Sequence, residues 1–220
     1  MILFVGTGSY GQTTEWSTEL QTSFIDISGL FGLDEPAQVT AVQYRNKDFF
    51  VDGFHTFSWK EPGKTVQSFF GAGYTFRFDS LSTKTLSIKN DFAFNRVANN
   101  GSFIRPMLIG KWAIHSRHTL YFVGWMFFDT RKEEMQPLNG GTAYVAHAFT
   151  LPYKKAKFRN ELRLLFVGIR NIRHVAGVVN QLKVSENTYK FYFIGNLGYS
   201  FYRSDGLTEW IWNVAVGKSF

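Results

Sequence analysis

The sequence lacks cysteine altogether, which excludes disulfide bridges and thiolate metal sites. It also lacks any apolar run near the roughly 18 residues that a transmembrane helix needs. The longest clear run, from Leu120 to Phe128, is about half that length and contains a glycine. The lack of a long apolar run excludes a helical membrane protein. The five prolines stand singly between apolar stretches, as expected for a chain of many short strands.

A concentrated basic patch is missing too, although the formal net charge is +7. The basic residues are spread along the chain, and only Lys154, Lys155 and Lys157 form a compact run. This distribution argues against nucleic-acid binding, which uses clustered positive charge. The lysine run is typical of a solvated turn or of a contact with anionic lipid headgroups.

Aromatic residues are abundant instead: they make up 18% of the chain, with 24 Phe, 10 Tyr and 6 Trp. Mean hydropathy is nevertheless slightly negative, at −0.14. An outer-membrane barrel places aromatic side chains on its lipid face and in two interfacial girdles. The alternative is a soluble β-sandwich with an aromatic core, and composition alone does not separate the two.

Hydrophobicity alternates with a period of two over segments longer than most soluble strands. From Thr14 to Phe24, one face carries Trp16 and Leu20 while the other carries Glu15 and Glu19. The same pattern extends from Val66 to Phe78, where small and polar residues occupy the second face. Such long strands with one apolar and one polar side favour a membrane barrel.

Turn signals divide the chain into twelve candidate strands, and the predicted fold is therefore all-β: a closed antiparallel transmembrane β-barrel. The weakest candidate is the tenth, Ile172 to Val184, because it lacks clean alternation. Single-chain bacterial barrels have even strand numbers, so the alternative count is ten. The candidates are 14–27, 37–46, 48–59, 65–78, 83–95, 102–114, 118–130, 142–151, 156–169, 172–184, 187–203 and 208–220.

The last segment carries the most specific pattern. Trp210, Trp212, Val214, Val216 and Phe220 share one face. This resembles the C-terminal strand signature of small Gram-negative outer-membrane barrels, from which Lys218 departs because that position is usually apolar. The resemblance implies an outer-membrane location, contact with outer-membrane lipid and insertion by the barrel-assembly machinery. In length and strand count alone, the chain is also similar to nucleoside-specific channel-like barrels.

The first residues resemble a targeting segment and not part of the barrel. Residues 1–12 begin Met-Ile-Leu-Phe-Val and look like the end of a secretory signal peptide. We therefore expect one barrel domain over residues 13–220.

Charged residues fall on the faces opposite the apolar ones, so we expect them to point into the lumen. On the lipid face, an Arg or Lys near the bilayer midplane would cost about 2–4 kcal/mol. The predicted lumen-lining, solute-binding residues are Glu15, Glu19, Arg77, Lys89, Asp91, Arg105, Lys111, Arg159, Glu161 and Arg163.

The favoured function is a channel or transporter for small polar or anionic solutes. A structural or accessory subunit of an outer-membrane complex, with a plugged lumen and another outer-membrane protein as partner, is the alternative. A lipid hydrolase is a further alternative function. Its only candidate catalytic residues are His115 and Ser116, in a short turn. We expect no cofactor. His115 and His118 could approach one metal ion, but the sequence identifies no third ligand for it.

Overall fold

Twelve antiparallel strands, each hydrogen-bonded to its neighbours in the chain, form a closed barrel in a computed structural model. This confirms the predicted fold class and the count of twelve. The structure describes residues 12–22, 24–25, 32–33, 35–61, 65–95, 101–130, 140–169, 173–204, 206 and 209–220. The proposed signal remnant lies outside these residues except for Gln12, where the first strand begins.

The barrel strands have the following bounds: β1 Gln12–Gln21, β4 Ala37–Asn46, β5 Phe49–Ser58, β6 Thr65–Arg77, β7 Lys84–Asn95, β8 Gly101–His115, β9 His118–Asp129, β10 Gly140–Tyr153, β11 Ala156–Ile169, β12 Arg173–Glu186, β13 Phe191–Arg203 and β14 Glu209–Ser219. Two further strands, β2 Phe24–Ile25 and β3 Gly32–Leu33, pair with each other in the connection between β1 and β4.

Pairing of the first and last strands closes the barrel. The β1–β14 ladder runs from Ser17 opposite Ser219 to Gln21 opposite Ala215. Beyond it, the amide of Phe220 donates to the carbonyl of Trp16 at 2.8 Å, and the two rings lie 5.8 Å apart. The apolar face of β14 therefore continues onto β1.

The two ends of the barrel differ in their connections. Tight turns at one end join β4 to β5, β8 to β9 and β10 to β11. Lys47 and Lys154 adopt left-handed backbone conformations in two of them, with φ of 54° and 50°. Longer connections lie at the other end, as between β1 and β4 and between β9 and β10. We call these the short-turn end and the long-connection end.

Large apolar side chains cover the outside of this barrel. Phe70, Trp210 and Trp212 are each about two-thirds exposed, at 66%, 64% and 64%. Residues one position along the same strands point inward, as Asn213 does at 2% exposure. The alternation therefore runs opposite to that of a soluble protein, with apolar groups outside.

The doubtful tenth strand is present as β12. Its inner face includes Val175 and Val179, while its outer face includes Val178 and Leu182. From Val175 to Val179 both faces are thus apolar, which is why the sequence shows no clean alternation in that half of the strand. The eleventh candidate, expected to begin at residue 187, begins instead at Phe191. The carboxylate of Glu186 accepts bonds from the amides of Thr188 and Tyr189, which keeps those residues in the turn.

Gly71 and Gly73 make room for neighbouring groups inside the barrel. A Cβ at Gly73 would lie 2.5 Å from Cζ of Phe50, and one at Gly71 would lie 2.3 Å from Cβ of Asp91. At Gly71 the backbone of Asn90 is close as well, at 2.6 Å. A flexible side chain could turn aside, but a strand backbone cannot do so cheaply.

We expect Gly71→Ala to destabilise the folded barrel by about 1–3 kcal/mol, because the new methyl group overpacks the wall. Unfolding by guanidinium in detergent, followed by heat-modifiable gel mobility, measures the change. Gly195→Ala is the control, because a Cβ there has nothing within 4 Å. Equal stabilities for the two variants would contradict the close packing at Gly71.

Asp79 fixes the turn between β6 and β7. Its carboxylate accepts the hydroxyl and the amide of Thr83 at 2.6 and 2.7 Å, and the amide of Lys84 at 2.9 Å. These bonds favour the charged form, so the hydroxyl of Thr83 above all, with the two amides, lowers the pKa of Asp79 below its usual value.

Because the folded pKa is lowered, the turn is fully stabilised above the unfolded pKa of about 3.9 and loses that contribution as pH falls through the folded value. We expect hydrogen exchange at Thr83 and Lys84 to accelerate over this acidic range beyond the intrinsic rate. Asp79→Asn keeps an acceptor oxygen but does not titrate, so its protection should not change there. An identical pH profile in both proteins would disprove the role of the carboxylate.

Candidate functional site: the charged lumen

All ten charged residues that the sequence singled out lie on the inner side of the wall. They alternate along their strands with the exposed apolar residues, and six of them are only 2–5% exposed. Their role in binding a solute stays a prediction. The six most buried are Glu19, Lys89, Asp91, Arg105, Glu161 and Arg163.

The first charged cluster spans β5, β7 and β8. Asp91 and Arg105 are direct neighbours across the β7–β8 ladder, and the guanidinium donates two bonds to the carboxylate, at 2.7 and 3.0 Å. Lys89 Nζ lies 3.1 Å from Asp91 and 2.7 Å from Asp52. Two cations thus meet two carboxylates, and the cluster is neutral.

Phe69 covers this cluster from the inner face of β6. Its ring centre lies 4.0 Å from Nζ of Lys89 and 5.2 Å from the guanidinium carbon of Arg105. A cation over an aromatic face is attracted by the ring quadrupole, and more strongly when water is excluded. The ring therefore holds both cations where their carboxylates can reach them.

The second charged cluster is built on β11 alone. Glu161 accepts a bond from Nε of Arg163 at 2.7 Å and is paired with Arg159 on its other side. Successive inward residues of one strand thus alternate in sign. The two guanidinium groups also lie over the rings of Tyr121 and Tyr144, at 5.3 and 5.6 Å. Two cations and one carboxylate leave this cluster with one net positive charge.

A row of amides continues from the second cluster around the wall. Arg163 Nη2 lies 3.4 Å from the side-chain oxygen of Gln181 on β12. Gln181 donates to Asn196 on β13 at 2.7 Å, and Asn196 donates to Asn213 on β14 at 2.6 Å. These residues are direct cross-strand partners. We call Gln181, Asn196 and Asn213 the amide row.

The remaining predicted residues lie nearer the short-turn end or beside β14. Arg77 pairs with Asp48 at 2.7 Å, and both side chains are about one-third exposed. Glu19 accepts a bond from Gln21 at 2.6 Å, while Glu15 and Lys111 are half-buried. The set therefore divides into two buried clusters, a buried Glu19 outside them, and a more open group of Glu15, Arg77 and Lys111.

Sequence reasoning missed Asp52 and the amide row. Asp52 lies on a strand whose alternation is interrupted by His55 and Gly53, and its partner Lys89 belongs to β7. The period of two puts Asn196 and Asn213 on the inner faces, but the hydrogen bonds between them depend on strand register. Parity predicts which way a side chain points, whereas register decides which residue it meets.

Much of the inner face is apolar, which the sequence did not predict. A buried cluster on β8 to β12 includes Met107, Val123, Trp125, Leu165, Val167, Val175 and Val179, and Tyr144 packs within it. We call these residues the apolar inner wall. On β9, where both faces are hydrophobic, Val123 and Trp125 face inward, while Phe122 and Met126 face outward and are about half exposed.

His115 and Ser116, the hydrolase candidates of the sequence, do not have the geometry of a catalytic triad. His115 Nδ1 lies 3.2 Å from Ser116 Oγ, whereas in catalytic triads Nε2 faces the serine and Nδ1 binds the orienting group. His118 Nδ1 and His147 Nε2 are hydrogen-bonded to each other at 3.0 Å. The described part of the chain contains no group of three or more potential metal ligands.

Helices offer no membrane anchor: within the described ranges, none has the length and apolar character to cross a bilayer.

The fold is similar to that of solved outer-membrane channels. The KdgM porin matches with a TM-score of 0.62 at 12% identity, over 94% of this chain and 99% of the porin. The COG4313 outer membrane channel from Pseudomonas putida F1 matches with 0.61 at 10% identity, over 98% and 100%. The NanC porin matches with 0.57 at 9% identity, over 94% and 99%.

These similarities identify the architecture: the chain is a closed twelve-strand barrel resembling porin-like outer-membrane channels. No protein-family model matches the sequence, and the comparison with curated proteins gives no match either.

We expect Asp91→Ala to destabilise the barrel by about 3–5 kcal/mol, because it leaves Lys89 and Arg105 buried with one carboxylate fewer. Arg77→Gln breaks an ion pair of the same kind at a more exposed site and should cost only about 0–1 kcal/mol. Chemical unfolding in detergent measures both. Similar losses for the two variants would show that burial of the first cluster does not decide its contribution.

Proposed function

We propose that this protein is a channel of the Gram-negative outer membrane that admits small solutes. The observation that carries the proposal is the inside-out distribution of its side chains: aromatic and aliphatic residues cover the outer surface, and charged residues of both signs are held inside. An aqueous environment would penalise so large an apolar surface, whereas lipid accepts it. The likeness to porin folds supports the same conclusion.

Membrane placement follows from the aromatic residues and the end structures. The short-turn end faces the periplasm in this proposal, because outer-membrane barrels have short periplasmic turns and longer external loops. Lys218 extends over the rings of Phe191 and Phe220 at this end, at 5.2 and 5.1 Å, where its charge reaches the headgroups. Outer-membrane lipid and the barrel-assembly machinery are the partners that this placement requires.

The two charged clusters supply the polar part of the path. β5 and β11 are six positions apart in the ring of twelve strands, so Asp52 and Glu161 lie on opposite walls. Fixed charges on both walls create a field across the lumen that orients dipolar solutes. Because the first cluster is neutral and the second carries one positive charge, the path favours neutral, zwitterionic or weakly anionic solutes over cations.

A second function has one observation in its favour. Asp91, Arg105, Glu161 and Arg163 are only 2–4% exposed, so the side chains at this level pack against protein and not against a wide water column. A barrel closed in this way could serve as a structural or accessory subunit of an outer-membrane complex. Conductance of the purified protein separates this function from the first.

We expect single-channel currents in planar bilayers, with a reversal potential in a salt gradient that indicates weak anion preference. Lys111→Glu should shift that potential towards cations, because Lys111 points inward and no ion pair of it is seen within the described ranges. Arg105 is a poorer probe, since it holds the first cluster together.

Lys154→Glu makes the same charge change in a turn outside the lumen and should leave the selectivity nearly unchanged. A barrel that migrates as a folded, heat-modifiable species but passes no current would exclude the channel and favour the accessory subunit. Equal shifts from the two lysine variants would place the selectivity at the mouth and not in the lumen.

A further inference from the structure

The polar groups of the lumen differ in whether they have partners. The most buried charges are satisfied by one another in the two charged clusters. Several uncharged side chains instead have buried polar atoms without hydrogen-bond partners in the described part of the chain, and Thr56, Gln67 and Tyr144 are among them. A buried polar group without a partner is costly, and it marks a place where a further molecule is expected.

Thr56 and Gln67 form one polar spot. They are direct partners across the β5–β6 ladder, at 0% and 1% exposure. Neither the hydroxyl of Thr56 nor either side-chain atom of Gln67 makes a hydrogen bond. The register shifts beside them, where Phe57 pairs with Thr65 and Val66 is left over, so the irregular ladder fixes this pair near the long-connection end. Together they offer two donor groups, the hydroxyl and the amide NH2, and two acceptor oxygens within one small area.

The part of the apolar inner wall on β11 and β12 lies opposite this spot. In the ring of strands, β5 and β6 are six positions from β11 and β12, which carry Leu165 and Val175. Both regions lie towards the long-connection end of their strands. An aliphatic wall repels water and ions from a narrow lumen, but it receives the apolar part of a solute. Tyr144, whose hydroxyl is also unpartnered, lies within that wall.

We infer that the half of the lumen next to the long connections binds small neutral molecules that combine an apolar ring or chain with a hydroxyl or amide group. The apolar part packs on the inner wall, and the polar group bonds to Gln67 and Thr56. A charged ligand fits less well at this spot, because Thr56 and Gln67 are uncharged and the charges of the two clusters already pair with each other. This inference adds a solute class to the proposed channel, but the binding step does not require that the barrel conduct.

Trp125 provides a specific reporter. It is 6% exposed in the apolar inner wall, whereas the other five tryptophans are 51–64% exposed and lie on the outer surface or at a strand end. Nitroaromatic compounds quench indole fluorescence on contact. The difference between the quenching of the folded protein and of a Trp125→Phe variant in the same detergent isolates the lumen signal from quenching by probe dissolved in the micelle.

Three matched probes separate the chemistry: 4-nitrobenzyl alcohol, 4-nitrotoluene and 4-nitrobenzoate. We expect saturable quenching of Trp125 by the alcohol, about tenfold weaker binding of nitrotoluene, which lacks the hydroxyl, and weaker binding of the anionic benzoate. Gln67→Leu should remove the preference for the alcohol over nitrotoluene. Gln38→Leu, on the outer face of β4, is the control and should keep it.

Tightest binding of the benzoate would overturn the inference and indicate an anion site. Quenching that is the same with and without Trp125, or an alcohol preference that survives Gln67→Leu in a heat-modifiable barrel, would overturn it as well. Thr56→Val tests the same site if Gln67→Leu fails to fold. Loss of conductance with retained, Gln67-dependent quenching would reject the channel alone.

Discussion

Closure of the hydrogen-bonded sheet is the constraint on which the rest of this structure depends. In lipid, every backbone amide and carbonyl must find a partner within the protein, and an antiparallel sheet achieves this only when its first and last strands meet. Here β1 and β14 pair, and the amide of Phe220 extends the contact to Trp16. Once the ring is closed, each strand has one face outside and one inside, so a period of two becomes a division between lipid and lumen.

This division explains why charged residues are collected in clusters and not spread evenly. A lone charge in a narrow interior loses its hydration, whereas neighbours of opposite sign on the same or adjacent strands compensate for that loss. Asp91 serves Lys89 and Arg105 at once, and Glu161 serves two arginines of its own strand. Phe69 then packs its ring against the ammonium of Lys89. Neighbouring charges of opposite sign thus provide the stabilisation that hydration provides in a wider pore.

Turn signals predicted twelve strands, with ten as the alternative. The period of two was sufficient to predict the fold class and the inward direction of all ten charged residues, because parity depends on local sequence alone. Register does not. The partnership of Asp52 with Lys89 requires knowing how β5, β6 and β7 are aligned, and the pair of Thr56 with Gln67 depends on an irregular ladder beside Val66. Parity also fails where both faces are apolar, as in β9 and β12, because it assumes a uniformly polar interior.

The amide row gives the inner wall a sense of rotation. Arg163 donates towards Gln181, Gln181 to Asn196, and Asn196 to Asn213, so each side-chain dipole follows the last around the barrel axis. Such a row polarises its members cooperatively, and turning one amide over would oblige its neighbours to turn with it. In the proposed channel, a molecule beside the row therefore meets donors and acceptors in a fixed circular order. The lumen is handed at this level, and mirror-image solutes are not equivalent in it.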